Sequence, residues 1–233
     1  MKKNVKTGLV IGLIFLFANA FGQSKNLVSD GTKNAKPVES HLDLLLNVVG
    51  TNLNYGKANS ALADYRKSVL SPQLGVSMQV GITRNFSIAP ELYFIIKGAR
   101  LGSNNPLTNS KTTLRFYTLE LPLLARFHFN KFYVNAGPSI AYSLYGTNKM
   151  EDKTSDLLFG SSGNSFKRWE AGMQFGGGYN FRIKKRQVAL DLRYNYGLTN
   201  ISNTNEMYNR SFILNIRFYK PWKTNPLGRN KNS

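Results

Sequence analysis

The sequence contains no cysteine, which excludes a disulfide framework, a thiolate metal site and a lipid anchor on an N-terminal cysteine. Two histidines, His41 and His128, leave almost no material for a zinc centre. Long apolar runs are missing as well. With 42% hydrophobic residues and a mean hydropathy of −0.30, the chain is no helical multi-span membrane protein, since each span needs ~20 apolar residues. Acidic residues are scarce, 12 Asp and Glu against 31 Lys and Arg, for a formal net charge of +19. That balance points first to nucleic acid. The basic residues are scattered through turns, loops and both ends, however, rather than gathered on one helix or stripe. Scattered Lys and Arg suit the anionic phosphates of a membrane surface better, so no nucleic-acid partner is expected.

What the sequence does contain is alternation, clearest over residues 131–146, KFYVNAGPSIAYSLYG. One set of positions reads Phe132, Val134, Ala136, Pro138, Ile140, Tyr142 and Leu144, the other Tyr133, Asn135, Gly137, Ser139, Ala141 and Ser143. This is a strand of period 2. Its second face lacks the charge that a water-facing surface would carry. Small, neutral, hydrogen-bonding residues suit the interior of a narrow barrel, and a purely apolar face suits lipid.

The N-terminal residues 1–22 read as a cleaved export signal: Lys2, Lys3 and Lys6, an apolar stretch 8–18, then Ala18-Asn19-Ala20. Residues 23–40 are polar and aperiodic, a flexible periplasmic lead-in. Eight strand candidates occupy 41–220, near 41–50, 72–82, 86–98, 113–129, 131–146, 167–182, 187–198 and 210–220, and a polar tail follows over 221–233. The first is blurred, because Leu45 and Val49 break its alternation. Tight turns near Thr83, Asn130 and Lys184 alternate with longer polar loops near 51–70, 99–112, 147–166 and 199–209. Short turns on one side and long loops on the other predict an all-β fold, an eight-stranded antiparallel up-and-down transmembrane barrel of the outer membrane with its long loops outward. Pro90, Pro122 and Pro138 fall inside strands and are expected to mark bulges or bends.

Two sets of residues follow from the phase. Phe132 and Tyr142, Tyr117 and Phe127, and Trp169 and Tyr179 are each ten residues apart, about 25 Å along a strand tilted ~40°. They are expected to form aromatic girdles at the two membrane interfaces. Glu91, Glu120, Arg126, Glu170, Asp191, Arg193 and Arg217 fall on the face away from lipid, where Arg at mid-depth would cost ~2–4 kcal/mol. In a narrow lumen they are expected to form an ion-pair network, with Glu120 and Glu170 above the others.

The segments SIAPELYFIIKGA (87–99), YTLELPLLARFHF (117–129), FYVNAGPSIAYSLYG (132–146), LDLRYNYGLTNI (190–201) and NRSFILNIRFY (209–219) resemble the PorT-like outer-membrane β-barrel family of Bacteroidetes. The resemblance implies a small barrel with a cleaved signal, no catalytic residues, and a structural or interaction role in an envelope assembly or in type IX secretion, to which the namesake belongs. It also implies the barrel-assembly machinery as a partner, which usually reads a terminal aromatic residue; here residues 220–233 extend beyond Phe218 and Tyr219.

An enzymatic barrel would need a nucleophile or a carboxylate pair beside a base. His128 falls near the short turn at Asn130, far from outer-leaflet substrates, and has no candidate partners. The glycines at 176–178 precede strand rather than helix, so they are read as close packing and not as a phosphate loop. No catalytic, cofactor or metal site is expected. A diffusion pore is disfavoured because eight strands leave room only for side chains. Outer-membrane lipid and lipopolysaccharide are the expected partners, together with envelope or secretion proteins.

Overall fold

A computed structural model describes residues 40–57, 59–183 and 186–219. The signal over 1–22, the lead-in up to residue 39 and the tail over 221–233 lie outside the described residues, as does the turn at 184–185. In chain order the strands are β1 (His41–Asn54), β2 (Arg66–Lys67), β3 (Val69–Gly81), β4 (Phe86–Leu101), β5 (Thr112–Phe129), β6 (Phe132–Met150), β7 (Lys153–Asp156), β8 (Trp169–Ile183), β9 (Arg186–Gly197) and β10 (Tyr208–Tyr219). Eight of them close the wall. β1, β3, β4, β5, β6, β8, β9 and β10 each pair antiparallel with the next, and β10 returns to β1. The short strands β2 and β7 add to β4 and β6 at the long-loop end. Closure leaves the wall no free edge.

The alternation of the sequence is the alternation of the wall. Along β1, His41, Asp43, Leu45, Asn47, Val49, Thr51 and Leu53 point inward and buried, while Leu42, Leu44, Leu46 and Val48 are exposed. The two residues that blur the pattern are therefore apolar side chains in the lumen. Leu45 and Val49 pack with Tyr93, Ile95 and Ile213 against the wall formed by β4, β1 and β10. The blurring in the sequence thus marks apolar filling of the lumen. In a barrel too narrow for water, side chains must fill the space, and apolar ones do so without needing partners.

The prolines do not mark bulges. Register continues unshifted past Pro90, Pro122 and Pro138, and the ladders instead lapse for two pairs beside each, as between Pro122 and Ala125 on β5. Losing a donor removes pairing locally without requiring an extra residue. The β5–β6 ladder shifts elsewhere, between Tyr117 and Thr118, where Tyr117 faces Tyr145 but Thr118 faces Ser143. Leu144 is the extra residue, and beyond it Tyr145 is exposed where the earlier phase would have turned it inward.

The long connections also differ from the flexible polar loops expected. Strands run further than the sequence suggested, and residues 60–65 form a 3-10 turn. Leu53, Tyr55, Leu62, Ala99, Leu101, Leu114, Phe116, Ile201 and Met207 bury one another, with Leu157, Phe159 and Phe166 packed against them. Asn105, 2% exposed, ties the 102–111 loop by donating to the carbonyls of Gly102 and Ser110 and accepting from the Leu107 and Thr108 amides. The outward end of the barrel is thus a packed apolar cap.

Candidate functional site: the plugged lumen

The most unusual feature of the interior is how much charge it holds. Arg126, Arg193, Arg217 and Lys97 are among the largest fully buried side chains, alongside Tyr93 and Tyr133. All seven charged residues placed inward by sequence phase, Glu91, Glu120, Arg126, Glu170, Asp191, Arg193 and Arg217, are buried. They fall into two groups.

In the lower group, toward the short turns, the Arg193 guanidinium donates from Nη1 to Glu91 Oε2 at 2.6 Å and from Nη2 to Glu91 Oε1 at 3.0 Å. Its Nε donates to Asp191 Oδ1 at 2.7 Å. Arg217 lies 3.6 Å from the other Asp191 oxygen and 3.4 Å from Asp43. Arg126 donates to Gln79 at 2.6 Å and stands 3.8 Å from Glu91. Tyr133 joins the group by donating its hydroxyl hydrogen to Asp191 while accepting from Arg217. Three guanidiniums therefore meet three carboxylates, and the lower group is neutral.

In the upper group, Lys97 Nζ lies 2.7 Å from Glu120 and 3.2 Å from Glu170. Amides complete the shell: Asn195 and Gln174 donate to Glu120, and Asn209 donates to Glu170. Gln174 also bonds the Tyr93 hydroxyl. One ammonium serves two carboxylates here. Lys97 and Asp43 were missed from the sequence, although both share the inward phase of their strands. Lys97 stood beside the expected loop start, and Asp43 was hidden by the broken alternation of β1.

Glycines set how closely this filling packs. A Cβ on Gly178 would overlap the Tyr133 hydroxyl and the Leu190 carbonyl oxygen, and one on Gly176 the Leu192 carbonyl. The run at 176–178 therefore lets β8 approach its neighbours and leaves space for the Tyr133 ring.

On the outside, the aromatic residues form two bands of ring pairs. Phe132 meets Tyr179 at 4.7 Å and Phe86 meets Phe127 at 4.9 Å near the short turns, while Tyr142 meets Trp169 at 4.8 Å and Tyr117 meets Tyr145 at 5.1 Å near the loops. Between them Leu119, Leu123, Ile140, Phe175, Leu192 and Leu214 are exposed. An apolar waist of this kind faces lipid in a transmembrane barrel.

A hydroxyl and an imidazole do pair at the short-turn rim, giving His128 a partner that the sequence did not suggest. His128 bonds Ser87 Oγ at 2.8 Å beside the short turn, and among the described residues no group of three or more His, Cys, Asp or Glu is placed to hold a metal ion.

The chain is similar to Ail, the attachment invasion locus protein of Yersinia pestis, at 9% identity over 78% of this chain and 100% of that one, with a TM-score of 0.41. It is similar to Neisserial surface protein A at 10% identity over 78% and 97%, TM-score 0.44, and to OprG from Pseudomonas aeruginosa at 11% over 82% and 99%, TM-score 0.43. No curated protein matches its sequence. The family described as outer membrane protein beta-barrel domain matches residues 21–203, a span that takes in β1 to β9. With a closed eight-stranded wall and a lipid-facing waist, the chain belongs to that outer-membrane β-barrel family.

Proposed function

We propose that this outer-membrane barrel is a non-conducting scaffold, neither an enzyme nor a pore, whose packed outer cap is its surface for other envelope components. The observation that carries this reading is the bridging of the lumen by side chains from opposed strands, with Arg193 on β9 holding Glu91 on β4. The finer reading, a PorT-like barrel in a secretion or envelope assembly, has the resemblance in five strand segments as its support. A photo-crosslinking residue at Leu158, 67% exposed on the cap, is expected to capture a discrete envelope protein in cells. Deletion of the gene is expected to impair secretion or envelope integrity. Capture of lipid alone, with no deletion phenotype, would remove the interaction role.

Outer-leaflet lipopolysaccharide is the second proposed partner. Arg168 stands over the Phe159 and Tyr142 rings beside the upper aromatic band, and Lys149, Lys153 and Lys167 are exposed near it. Each such charge near an anionic surface contributes on the order of 1 kcal/mol. Binding to lipopolysaccharide micelles is expected to weaken with added salt; binding insensitive to salt would exclude phosphate pairing.

A further inference from the structure

The lumen reaches the short-turn end of the wall. Among the short turns it opens into a cavity of about 190 Å3 whose lining includes His41, Arg84, His128, Asn130, Asn180 and Arg217. Among the described residues no carboxylate lines it. Asp43 on β1 lies just inside, its Oδ2 3.4 Å from His41 Nε2 and 3.4 Å from Arg217 Nη1 and its Oδ1 without a partner.

Two groups on this lining are left over. Arg217 is 1% exposed and His41 2% exposed, yet Arg217 Nε and His41 Nδ1 have no hydrogen-bond partner. Elsewhere each is held firmly. Arg217 is tied to Asp43, Asp191 and Tyr133, and the His41 ring stacks on Tyr219 at 4.0 Å with an interplanar angle of 15°. A buried guanidinium N–H without an acceptor is unfavourable, and the neutral pairing of the lower network does not relieve it. Arg84 adds an exposed positive charge at the rim, on the turn between β3 and β4. Positive charge, fixed buried donors, neutral amides from Asn130 and Asn180, and a space of several water volumes together match one chemical class of ligand.

We propose that this mouth binds a small oxyanion, a carboxylate or phosphate group entering from the periplasm. The group sits against the Arg217 guanidinium and is drawn in by Arg84, with the two amides and the imidazoles around it. A forked guanidinium on a rigid strand is the donor such oxygens favour. The site shares Arg217 with the lower ion-pair group and lies at the end opposite the cap, so it adds a ligand to the scaffold role proposed above without depending on it.

The test uses the full-length protein in detergent micelles, with isotope-labelled histidine followed by NMR. Inorganic phosphate is titrated in one arm, and an acetylated dipeptide with a free terminal carboxylate in the other, against the same dipeptide amidated. Saturable shifts of His41 and His128 are expected with phosphate, with the carboxylate peptide or with both, and not with the amide. A response to phosphate alone assigns the site to phosphate, and a response to the peptide alone assigns it to peptide termini. Arg84→Gln, at an exposed turn position, is expected to weaken binding on the order of tenfold, the loss of one charge-assisted contact, with the unfolding midpoint unchanged. Absence of saturable shifts in both arms, equal response to the amide, or undiminished binding by Arg84→Gln would overturn the proposal.

Discussion

Arg193 and Glu91 lie on opposite walls of the barrel, four strands apart in either direction around it, yet the guanidinium closes on both carboxylate oxygens at 2.6 and 3.0 Å. A contact of this length spans the lumen at that level. Of the twelve acidic residues in the chain, Asp43, Glu91, Glu120, Glu170 and Asp191 are all inside the lumen. In so basic a chain, acid is concentrated where buried cations need it.

Replacing Arg193 by Leu is expected to lower stability by about 3–5 kcal/mol, because Glu91 and Asp191 would then be buried with their main partner gone. Replacing all three by apolar residues of similar volume is expected to restore much of it, since desolvation offsets most of the gain from pairing. Urea unfolding midpoints in detergent micelles measure both.

Gly178→Ala is expected to lower stability by about 1–3 kcal/mol through overpacking, read as a lower unfolding midpoint, since its Cβ would displace Tyr133 from Asp191 and Arg217. Gly163→Ala, where a Cβ meets nothing within 4 Å, is the matched control. An unchanged midpoint for both would mean that Tyr133 is not held as described.

Burial pushes the Tyr55 phenol up to about 12, against the opposing pull of Arg66, and its hydroxyl has no partner. The folded cap favours the neutral phenol. Its contribution is whole below the ordinary tyrosine pKa of about 10 and is lost as pH rises toward about 12, on the order of 2–3 kcal/mol in all. Tyr55→Phe is expected to abolish this alkaline loss, measured as cap opening by hydrogen exchange, and to leave neutral-pH stability unchanged or raised.

With the long loops outward, as the short-turn and long-loop arrangement predicts, trypsin added to intact cells is expected to cut at Lys149 or Lys153, both exposed at the tip joining β6 to β7. The packed cap protects the connections around Leu62 and Asn105. Cleavage near Arg182 in intact cells, on the short-turn side, would invert this orientation.

The wall was legible because period 2 in the sequence is period 2 in the structure, and a closed barrel exposes every strand to the same two environments. Phase alone brought Arg193 and Glu91 inside, but it does not say what lies across the lumen. That depends on strand order and stagger, so neither their pairing nor the sharing of Lys97 between Glu120 and Glu170 could be read along the chain. The cap was illegible for a related reason. Leu62, Ile201 and Met207 stand singly among polar residues, and only the gathering of separate loops makes them a core. The Leu144 bulge carries no marker either, whereas the prolines that suggested bulges are accommodated by lapses in pairing.

Closure of the lumen by side chains is read by planar-bilayer recording. Purified protein inserted into a bilayer is expected to give no steady ion conductance, while Arg193→Ala combined with Glu91→Ala, which removes the cross-lumen fork, is expected to admit current or transient openings. Steady conductance by the unmodified protein would contradict the account and make the barrel a channel.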